Sequence, residues 1–340
     1  MNIPGVEKII FPSVPSVPNK RGIYWTGYTA GSSRALDLLG DLVKAHGNMV
    51  VFDLKETAGE IFYDTKVPLA REIGAISLRL PDVKKLVRVL HRKGVYAVAR
   101  LTMFKDVILA QSRPEFAIKS KSTGKPFTSG EVREWVDPSN PDVQAYNIDI
   151  AKEVARMGVD EIQFDYIRFP TLGSAPDVDY YYYRDNPDAP KYEIIADFLK
   201  KAHEALEPYG VKLGIDVYGI IAWSDGDDAK ATGQKVDLMA EYVDTIYPMI
   251  YPSHFGPGFG GHKNPADEPY FFIQESTKKF NALVKDKAKI VPWLQGFPYR
   301  TSNFGVSYVQ SQIKALRDLD MHSFVIWSAA NKYDVSLPAF

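Results

Sequence analysis

The chain of 340 residues contains 45% hydrophobic and 24% charged residues, a balance that indicates a folded protein rather than extended disorder. A net charge of -1, without any run of Lys and Arg, argues against a nucleic-acid partner. Because cysteine is absent, disulfides, thiolate nucleophiles and cysteine-bound metals are excluded.

The N-terminus is rich in proline, and we interpret residues 1–20 as a linker that precedes one domain formed by residues 21–340. No window approaches the roughly 20 apolar residues of a membrane helix, so no membrane span is predicted. The localisation stays unknown from these features. A removed N-terminal signal would favour an extracytoplasmic or cell-envelope protein, and otherwise the protein would be cytoplasmic. The oligomeric state is not predicted.

Short apolar and β-branched runs alternate with helical patterns along the chain, which indicates βα units and a parallel sheet. Eight strands are predicted, at residues 22–29, 49–55, 95–104, 161–169, 212–219, 245–251, 290–297 and 323–328. Helices are predicted between them, at residues 33–45, 81–92, 141–157, 191–207, 233–242, 269–284 and 306–319. Gly94, Gly158 and Gly210 stand where a left-handed residue ends a helix.

Eight strands with intervening helices predict an α/β protein with a TIM (β/α)8 barrel. A doubly wound sheet is disfavoured because no Gly-x-Gly-x-x-Gly follows the first strand. Long connections are expected as insertions on the C-terminal face, at residues 60–80 (a hairpin or arm), 106–138 and 171–190. With a Gly- and Pro-rich loop at residues 252–265, they would wall a cleft.

Alternate residues of a strand share a face, and polar residues recur on one face near the C-terminal ends of the predicted strands. We interpret this face as the barrel interior, although a bulge would break the alternation. Its residues are Val51, Asp53, Lys55, Tyr96, Val98, Arg100, Gln163, Asp165, Gly214, Asp216, Tyr218, Tyr247, Met249, Tyr251, Trp293 and Gln295.

Two carboxylates at adjacent strand ends are the candidate catalytic pair. Asp165 ends the fourth strand and Asp216 lies in the fifth, so their side chains are expected to meet across the barrel mouth. Such a pair suits glycoside hydrolysis, with Asp165 as nucleophile and Asp216 as general acid/base. Ion pairing or loop capping is the structural alternative for either residue. Arg168 would stabilise the Asp165 carboxylate or pair with a loop acid.

Further charged residues lie near the ends of the second and third strands. Arg100, Lys105 and Asp106 would bind sugar hydroxyls or form a structural ion network beneath the insertion. Asp53 is more often structural at this depth, yet a carboxylate beside Lys55 would also orient a substrate.

Aromatic residues form 13% of the chain, and some are expected to stack on sugar rings. Tyr247, Tyr251 and His254 form the densest group at any strand end, as a sugar-binding wall or as a plug of the barrel. Two of four tryptophans on or beyond strands are expected in the cleft; the four are Trp25, Trp223, Trp293 and Trp327.

No metal or cofactor is predicted. The six His residues lack the spacings that gather metal ligands on one element, and a Gly-x-Ser-x-Gly nucleophile elbow is absent. Residues 225–228 form an acidic loop that would bind calcium, although a solvated surface loop is far commoner.

Six segments carry a resemblance to known proteins: GIYWTGY (22–28), ARLTMFKD (99–106), WVDP (135–138), EIQFDYIRFP (161–170), DVYG (216–219) and YPMIYPSH (247–254). Taken together, they resemble one family, the bacterial and archaeal putative glycosyl hydrolase domain. The resemblance implies a (β/α)8 barrel distantly related to α-amylase-type hydrolases, a carbohydrate-active site, and Asp165 as the nucleophile. α-Amylase-type enzymes typically place a Glu after the fifth strand, where this chain has Asp216.

The resulting hypothesis is a glycosidase that cleaves an oligo- or polysaccharide, by a retaining mechanism that uses Asp165 and Asp216. One alternative is a non-catalytic carbohydrate-binding or cell-envelope protein on the same barrel. Another is a polysaccharide deacetylase or lyase, and the scattered His residues disfavour its metal-dependent form.

Overall fold

A parallel β-barrel dominates the computed structural model, which describes residues 17–127, 133–171, 177–186, 188–224 and 226–340. The barrel strands are β1 (Arg21–Trp25), β2 (Met49–Lys55), β3 (Tyr96–Thr102), β5 (Glu161–Asp165), β7 (Lys212–Tyr218), β8 (Thr245–Met249), β9 (Lys289–Ile290), β10 (Trp293–Gln295) and β11 (Phe324–Trp327). β9 and β10 together form the seventh stave, where a stave is one of the eight strand positions around the barrel. The predicted TIM barrel is confirmed.

The strands follow one another around the barrel in chain order, and all of their pairings are parallel. The seventh stave is broken at Pro292, which has no N–H to donate to a neighbouring strand. Beyond the break, β10 pairs with both β8 and β11, and these pairings close the barrel.

Helices surround the barrel; the seven predicted ones correspond to α2, α4, α6, α7, α9, α10 and α11, and the short helices α1, α3, α5 and α8 were not predicted. Their bounds are α1 (Gly27–Ala30), α2 (Arg34–Lys44), α3 (Pro68–Glu72), α4 (Val83–Arg92), α5 (Val107–Ser112), α6 (Pro141–Ala155), α7 (Lys191–Leu206), α8 (Asp227–Thr232), α9 (Val236–Met239), α10 (Pro269–Val284) and α11 (Val306–Arg317). The expected left-handed conformation is found at Gly94, Gly158 and Gly210. No helix within the described ranges has the length and apolar character needed to span a bilayer.

Two of the predicted insertions are joined by a small antiparallel sheet. β4 (Lys119–Ser120) in the insertion after β3 pairs with β6 (Val178–Asp179) in the insertion after β5. The insertion after β2 folds back on the barrel through an antiparallel bridge between Lys55 and Ile61. Residues 1–16, most of the predicted linker, lie outside the described part of the chain, as do residues 128–132 and 172–176 of the insertions.

Two apolar layers separate the inner and outer faces of the strands. The outer layer joins strand residues such as Val50, Phe52 and Ile162 to the surrounding helices. The inner layer fills the barrel and contains Val51 and Val98. These layers follow the two-residue alternation of the strands, which supports the interpretation of most inward-facing residues.

The end of the barrel opposite the strand carboxyl ends is closed by a buried ionic and hydroxyl network. Glu161 is fully buried and forms an ion pair with Lys20, whose Nζ lies 2.7 Å from Oε2. The hydroxyl groups of Tyr96 and Tyr247 donate to the same carboxylate at 3.1 and 2.7 Å. This network places Lys20 within the folded barrel, although it belongs to the predicted linker.

Candidate active site at the mouth of the barrel

A cavity of about 520 Å³ opens at the carboxyl ends of the barrel strands. This volume lies within the range of small-ligand sites. Nine of the residues predicted from sequence line it: Arg100, Asp165, Arg168, Asp216, Tyr218, Tyr251, His254, Trp293 and Trp327. The structure therefore brings together both candidate carboxylates and two of the four tryptophans.

Arg100 is the centre of the charged groups in this cavity. Its guanidinium donates from Nε to Asp165 Oδ2 at 3.0 Å and also from Nη2 to the same oxygen. Nη1 donates to Asp53 Oδ1 at 2.7 Å. Asp216 Oδ2 lies 3.8 Å from Nε. One buried cation thus holds three carboxyl groups from three different strands.

Asp165 is the last residue of β5, and the residue after it turns the chain sharply. Tyr166 has a φ of 52°, a left-handed conformation that tyrosine rarely adopts and that ends the strand. This turn lets the Tyr166 N–H donate to Asp165 Oδ1 at 2.6 Å. With Arg100 on the other oxygen, both oxygens of Asp165 accept strong donors that stabilise the carboxylate.

Asp216 has a different environment from Asp165. Burial raises the pKa of its carboxyl well above the ordinary value, and the neighbouring charge of Asp165 raises it further. The charge of Arg100 and a hydrogen bond from Trp293 Nε1 to Oδ1, at 2.6 Å, act in the opposite direction without cancelling these effects. Asp216 therefore holds a proton at a pH where an exposed aspartate has lost it.

Asp53 supports Arg100 from below the cavity rather than lining it. Its pKa is raised, chiefly by burial and against the opposing charge of Arg100. The Tyr24 hydroxyl donates to its Oδ2. The carbonyl of Tyr24 in turn accepts a hydrogen bond from the hydroxyl of Tyr333. The position of Asp53 therefore depends on one residue in the first barrel strand and on another that follows the last.

Arg168 lies in a stack of aromatic rings at the side of the cavity. Its guanidinium carbon is 4.5 Å from the ring centre of Trp135 and 4.6 Å from that of Tyr218. Nη1 also donates to the carbonyl of Phe169 at 3.0 Å. These contacts hold Arg168 against the aromatic rings.

Aromatic side chains form the opposite wall. Trp327 stacks on Tyr24 with ring centres 4.0 Å apart and meets Trp293 edge to face at 5.5 Å. Tyr251 and His254 continue the wall at 5.0 Å from each other. The pKa of His254 is lowered by burial and by the charge of Arg300, so its imidazole is neutral at neutral pH.

A bulge in β2 changes the expected position of Lys55. The pairing of β2 with β3 shifts register between Asp53 and Lys55, so the two residues do not share a face. Lys55 is fully buried outside the barrel interior and pairs with Asp106 at 2.8 Å. Asp106 also caps α5 by accepting from the Leu109 N–H at 2.8 Å. Both residues therefore lie away from the cavity.

Trp25 and Tyr247 are also placed away from the cavity. Trp25 is fully buried in the outer apolar layer, because it occupies the helix-facing side of β1. Tyr247 faces inward but lies at the closed end of the barrel, where its hydroxyl binds Glu161. Alternation specifies the face of a strand, while the depth along the barrel axis depends on the register of all eight staves.

Three further predicted residues do not line the cavity. Lys105 pairs with Glu134 at 3.0 Å in the insertion after β3. Gln163 is fully buried two residues below Asp165 on β5. Gln295 accepts from the Ser253 N–H at 3.1 Å and donates to the carbonyl of Phe297 at 2.9 Å, so it joins two loops of the rim.

Seven lining residues were not among the predicted site residues: Tyr166, Thr171, Gly219, Ile220, Gln234, Met249 and Phe255. Two of them carried a usable signal in the sequence, since Tyr166 follows Asp165 directly and Met249 stands on a predicted inward face. Within the described ranges, no group of three or more His, Cys, Asp or Glu side chains is arranged to hold a metal ion. Asp225 of the acidic loop lies outside those ranges.

The model of a family described as a putative glycosyl hydrolase domain matches residues 22–333. The chain belongs to this family. No curated protein matches it. A hypothetical protein from Ruminiclostridium thermocellum ATCC 27405 is 36% identical and covers 57% of this chain and 97% of its own, with a TM-score of 0.51.

Solved glycoside hydrolases share the family's fold at low identity. The PgaB (BpsB) glycoside hydrolase domain from Bordetella bronchiseptica is 15% identical, with 94% of this chain and 97% of that chain covered and a TM-score of 0.66. A β-N-acetylhexosaminidase from Bacteroides fragilis NCTC 9343 is 12% identical, with 91% and 61% covered and a TM-score of 0.58. These are glycoside-hydrolase-like barrels rather than specifically α-amylase-type enzymes, so the expected kinship with α-amylases is not supported.

Proposed function

We propose that the protein hydrolyses a glycosidic bond of an oligo- or polysaccharide, with Asp216 as general acid and Asp165 as nucleophile. The observation that carries the proposal is the unequal environment of two carboxyl groups beside one guanidinium. Asp165 accepts donors on both oxygens, whereas burial raises the pKa of Asp216. Carboxyl groups whose environments separate their protonation states are the usual acid and base of such sites.

In the first step, the Asp165 carboxylate attacks the anomeric carbon while the bond to the leaving oxygen breaks. The proton of Asp216 moves to that oxygen, so the leaving group departs as a neutral alcohol. Trp293 occupies Oδ1 of Asp216 as a donor, which leaves Oδ2 as the oxygen that carries the proton. In the second step, Asp216 takes a proton from water, and that water displaces the Asp165 ester.

Arg100 serves both steps as a fixed positive charge. It holds Asp165 for attack, and its Nε lies 3.8 Å from Oδ2 of Asp216 when that group loses its proton. Because the guanidinium is already positioned by Asp53 at 2.7 Å, it needs no rearrangement when charge develops.

The Oδ2 atoms of the two carboxyl groups lie close enough for a retaining mechanism. The two Oδ2 atoms lie 3.0 and 3.8 Å from the same nitrogen, so their separation cannot exceed the sum of these distances, about 7 Å. Retaining enzymes separate their carboxyl groups by roughly 5 to 5.5 Å, and inverting enzymes by roughly 6.5 to 9.5 Å. The bound admits the first range fully and the second only at its short end.

The test is hydrolysis of a panel of 4-nitrophenyl glycosides, in both anomeric forms, of glucose, galactose, mannose, xylose and N-acetylglucosamine. N-acetylglucosamine is included because a β-N-acetylhexosaminidase shares the fold. Asp165→Asn should lower kcat/KM on these glycosides by at least about a hundredfold, because it removes the nucleophile. Asp216→Asn should cause a loss of this size on an oligosaccharide of the same sugar, whose leaving oxygen needs the proton that 4-nitrophenolate does not need. Asp41→Asn, at an exposed position on α2, is the matched control and should leave the rate unchanged.

The configuration of the first product, read by NMR, decides between retention and inversion. A first product with the substrate's own anomeric configuration supports Asp165 as nucleophile. If the wild-type protein and Asp165→Asn bind sugars equally and neither releases product from any glycoside, the hydrolase proposal fails. The aromatic wall would then serve a carbohydrate-binding protein.

A further inference from the structure

A second opening adjoins the catalytic cavity on the side of β10 and β11. It encloses about 610 Å³ between the loops that follow these two strands. We call it the side groove, and the residues that define it are His254, Phe297, Tyr299, Trp327, Lys332 and Asp334. None of the described elements fills it.

The side groove and the cavity share two residues, His254 and Trp327. Trp327 cannot move freely, because it stacks on Tyr24 at 4.0 Å and meets Trp293 at 5.5 Å. One fixed indole ring therefore borders both spaces. The two spaces therefore adjoin along His254 and Trp327.

A row of aromatic rings runs from the cavity into the side groove. His254 lies 5.0 Å from Tyr251 on the cavity side and 6.4 Å from Tyr299 on the groove side. Tyr299 keeps 49% of its surface exposed, and Arg300 lies over its ring at 4.9 Å. Of these rings, His254 and Tyr299 are exposed, and exposed aromatic rings stack on the apolar faces of sugar units.

The row is held in place before any ligand binds. The side-chain amide of Gln295 donates to the carbonyls of Phe297 and Tyr299 at 2.9 and 3.2 Å. Its oxygen accepts from the N–H of Ser253, which precedes His254. One buried amide thus fixes the loops on both sides of the row, and a preorganised surface of this kind loses little entropy on binding.

Polar groups lie at the edge of the apolar surface. Lys332 and Asp334 line the groove and are exposed, so they can hydrogen-bond hydroxyl groups on the rim of a sugar ring. Apolar walls with a few polar groups are typical of sites that bind uncharged polar ligands in a defined orientation.

From this continuity we infer that the side groove is a sugar subsite, which binds the unit next to those held at Asp165 and Asp216. The inference rests on the proposed function and extends it. The substrate is a chain longer than the cavity alone can hold, and the protein prefers an oligosaccharide to a short glycoside of the same sugar.

The experiment compares Tyr299→Ala with the wild-type protein on two kinds of substrate. One is the 4-nitrophenyl glycoside that the panel identifies, and the other is a series of oligomers of the same sugar, from two to six units. The wild-type kcat/KM should rise with chain length until the side groove is filled. Tyr299→Ala should lower the ratio of oligomer to aryl-glycoside kcat/KM by roughly three- to tenfold, through KM.

Tyr28→Ala is the control, because Tyr28 is similarly exposed at 53% but does not line either space. It should leave the ratio unchanged. A wild-type rate that does not depend on chain length, or a Tyr299→Ala loss that is equal on both substrates, overturns the inference.

Calorimetric binding of cello-, malto- and chito-oligosaccharides of two to six units separates this inference from the hydrolase proposal. If no glycoside is cleaved but affinity grows with length and falls in Tyr299→Ala, the subsite stands and the hydrolase proposal fails. If hydrolysis occurs and the affinity in every series is independent of oligomer length, the subsite inference fails while the hydrolase proposal stands.

Discussion

The indole of Trp293 donates to Oδ1 of Asp216 at 2.6 Å across the interior of the barrel. The bond joins β10 to β7, which are not neighbours in the sheet. It orients the carboxyl group that we propose as the acid, and it moderates the increase in pKa that burial causes. The pH dependence of the reaction is therefore linked to Trp293, which lies two strand positions from Asp216 around the barrel.

Trp293→Phe should shift the alkaline limb of the pH profile of kcat/KM to higher pH. The substitution removes a donor that favours ionised Asp216, so the pKa of this group should rise further. The maximal rate should fall about tenfold, since the acid loses its orientation. Trp223→Phe is the matched control, because Trp223 donates to Ser276 at 2.8 Å outside the cavity. An unchanged or lowered alkaline limb would contradict the assignment of the acid.

Asp216→Asn should make the stability of the protein less dependent on pH. The pKa of Asp216 is raised in the folded state, so the folded protein retains a proton that the unfolded chain loses at about pH 4. Stability from this group is present at low pH and is lost as the pH rises from the unfolded toward the folded pKa.

The measurement is the midpoint of urea unfolding between pH 4 and 8. The wild-type midpoint should fall more steeply with pH than that of Asp216→Asn, while Asp41→Asn should follow the wild type. Burial also raises the pKa of Asp53, which contributes with the same sign and remains in all three proteins. Equal slopes for the wild type and Asp216→Asn would show that Asp216 is ionised throughout.

Lys55→Met should destabilise the protein by about 3 to 5 kcal/mol, because it leaves the Asp106 carboxylate buried without its cation. Lys105→Met is the control, since the partly exposed pair with Glu134 should contribute about 1 kcal/mol or less. Unfolding in urea gives both values. The double variant Lys55→Met with Asp106→Asn should recover part of the loss. If Lys55→Met instead has normal stability and weakened substrate binding, Lys55 is a sugar ligand.

Two glycines should respond in opposite directions to alanine. A Cβ at Gly214 would lie 2.5 Å from Glu161 Oε1 and 2.7 Å from Tyr247 Cε2, so Gly214→Ala should cost about 1 to 3 kcal/mol through overpacking. Gly40 lies within α2 with nothing inside 4 Å of such a Cβ. Gly40→Ala should therefore stabilise by about 0.5 to 1 kcal/mol. A neutral Gly214→Ala would mean that the Glu161 network has space to adjust.

The local sequence pattern was sufficient to predict the fold and part of the candidate site. The period of two in the strands and the apolar periodicity of the helices depend only on nearby residues, and they predicted a TIM barrel. The same alternation, together with the end of each strand, placed Arg100, Asp165 and Asp216 on the inner face. Strand ends gather at one rim in any parallel barrel, so residues near the ends of adjacent strands are expected close together.

Tertiary structure decided which other residues reach the cavity. The bulge after Asp53 turns Lys55 outward, and the register of the staves places Tyr247 at the closed end beside Glu161. The raised pKa of Asp216 also arises there, because burial and the charge of Asp165 depend on residues distant in sequence. Register and burial are set by contacts between segments that are distant in sequence, and no short stretch of the sequence contains both partners of such a contact.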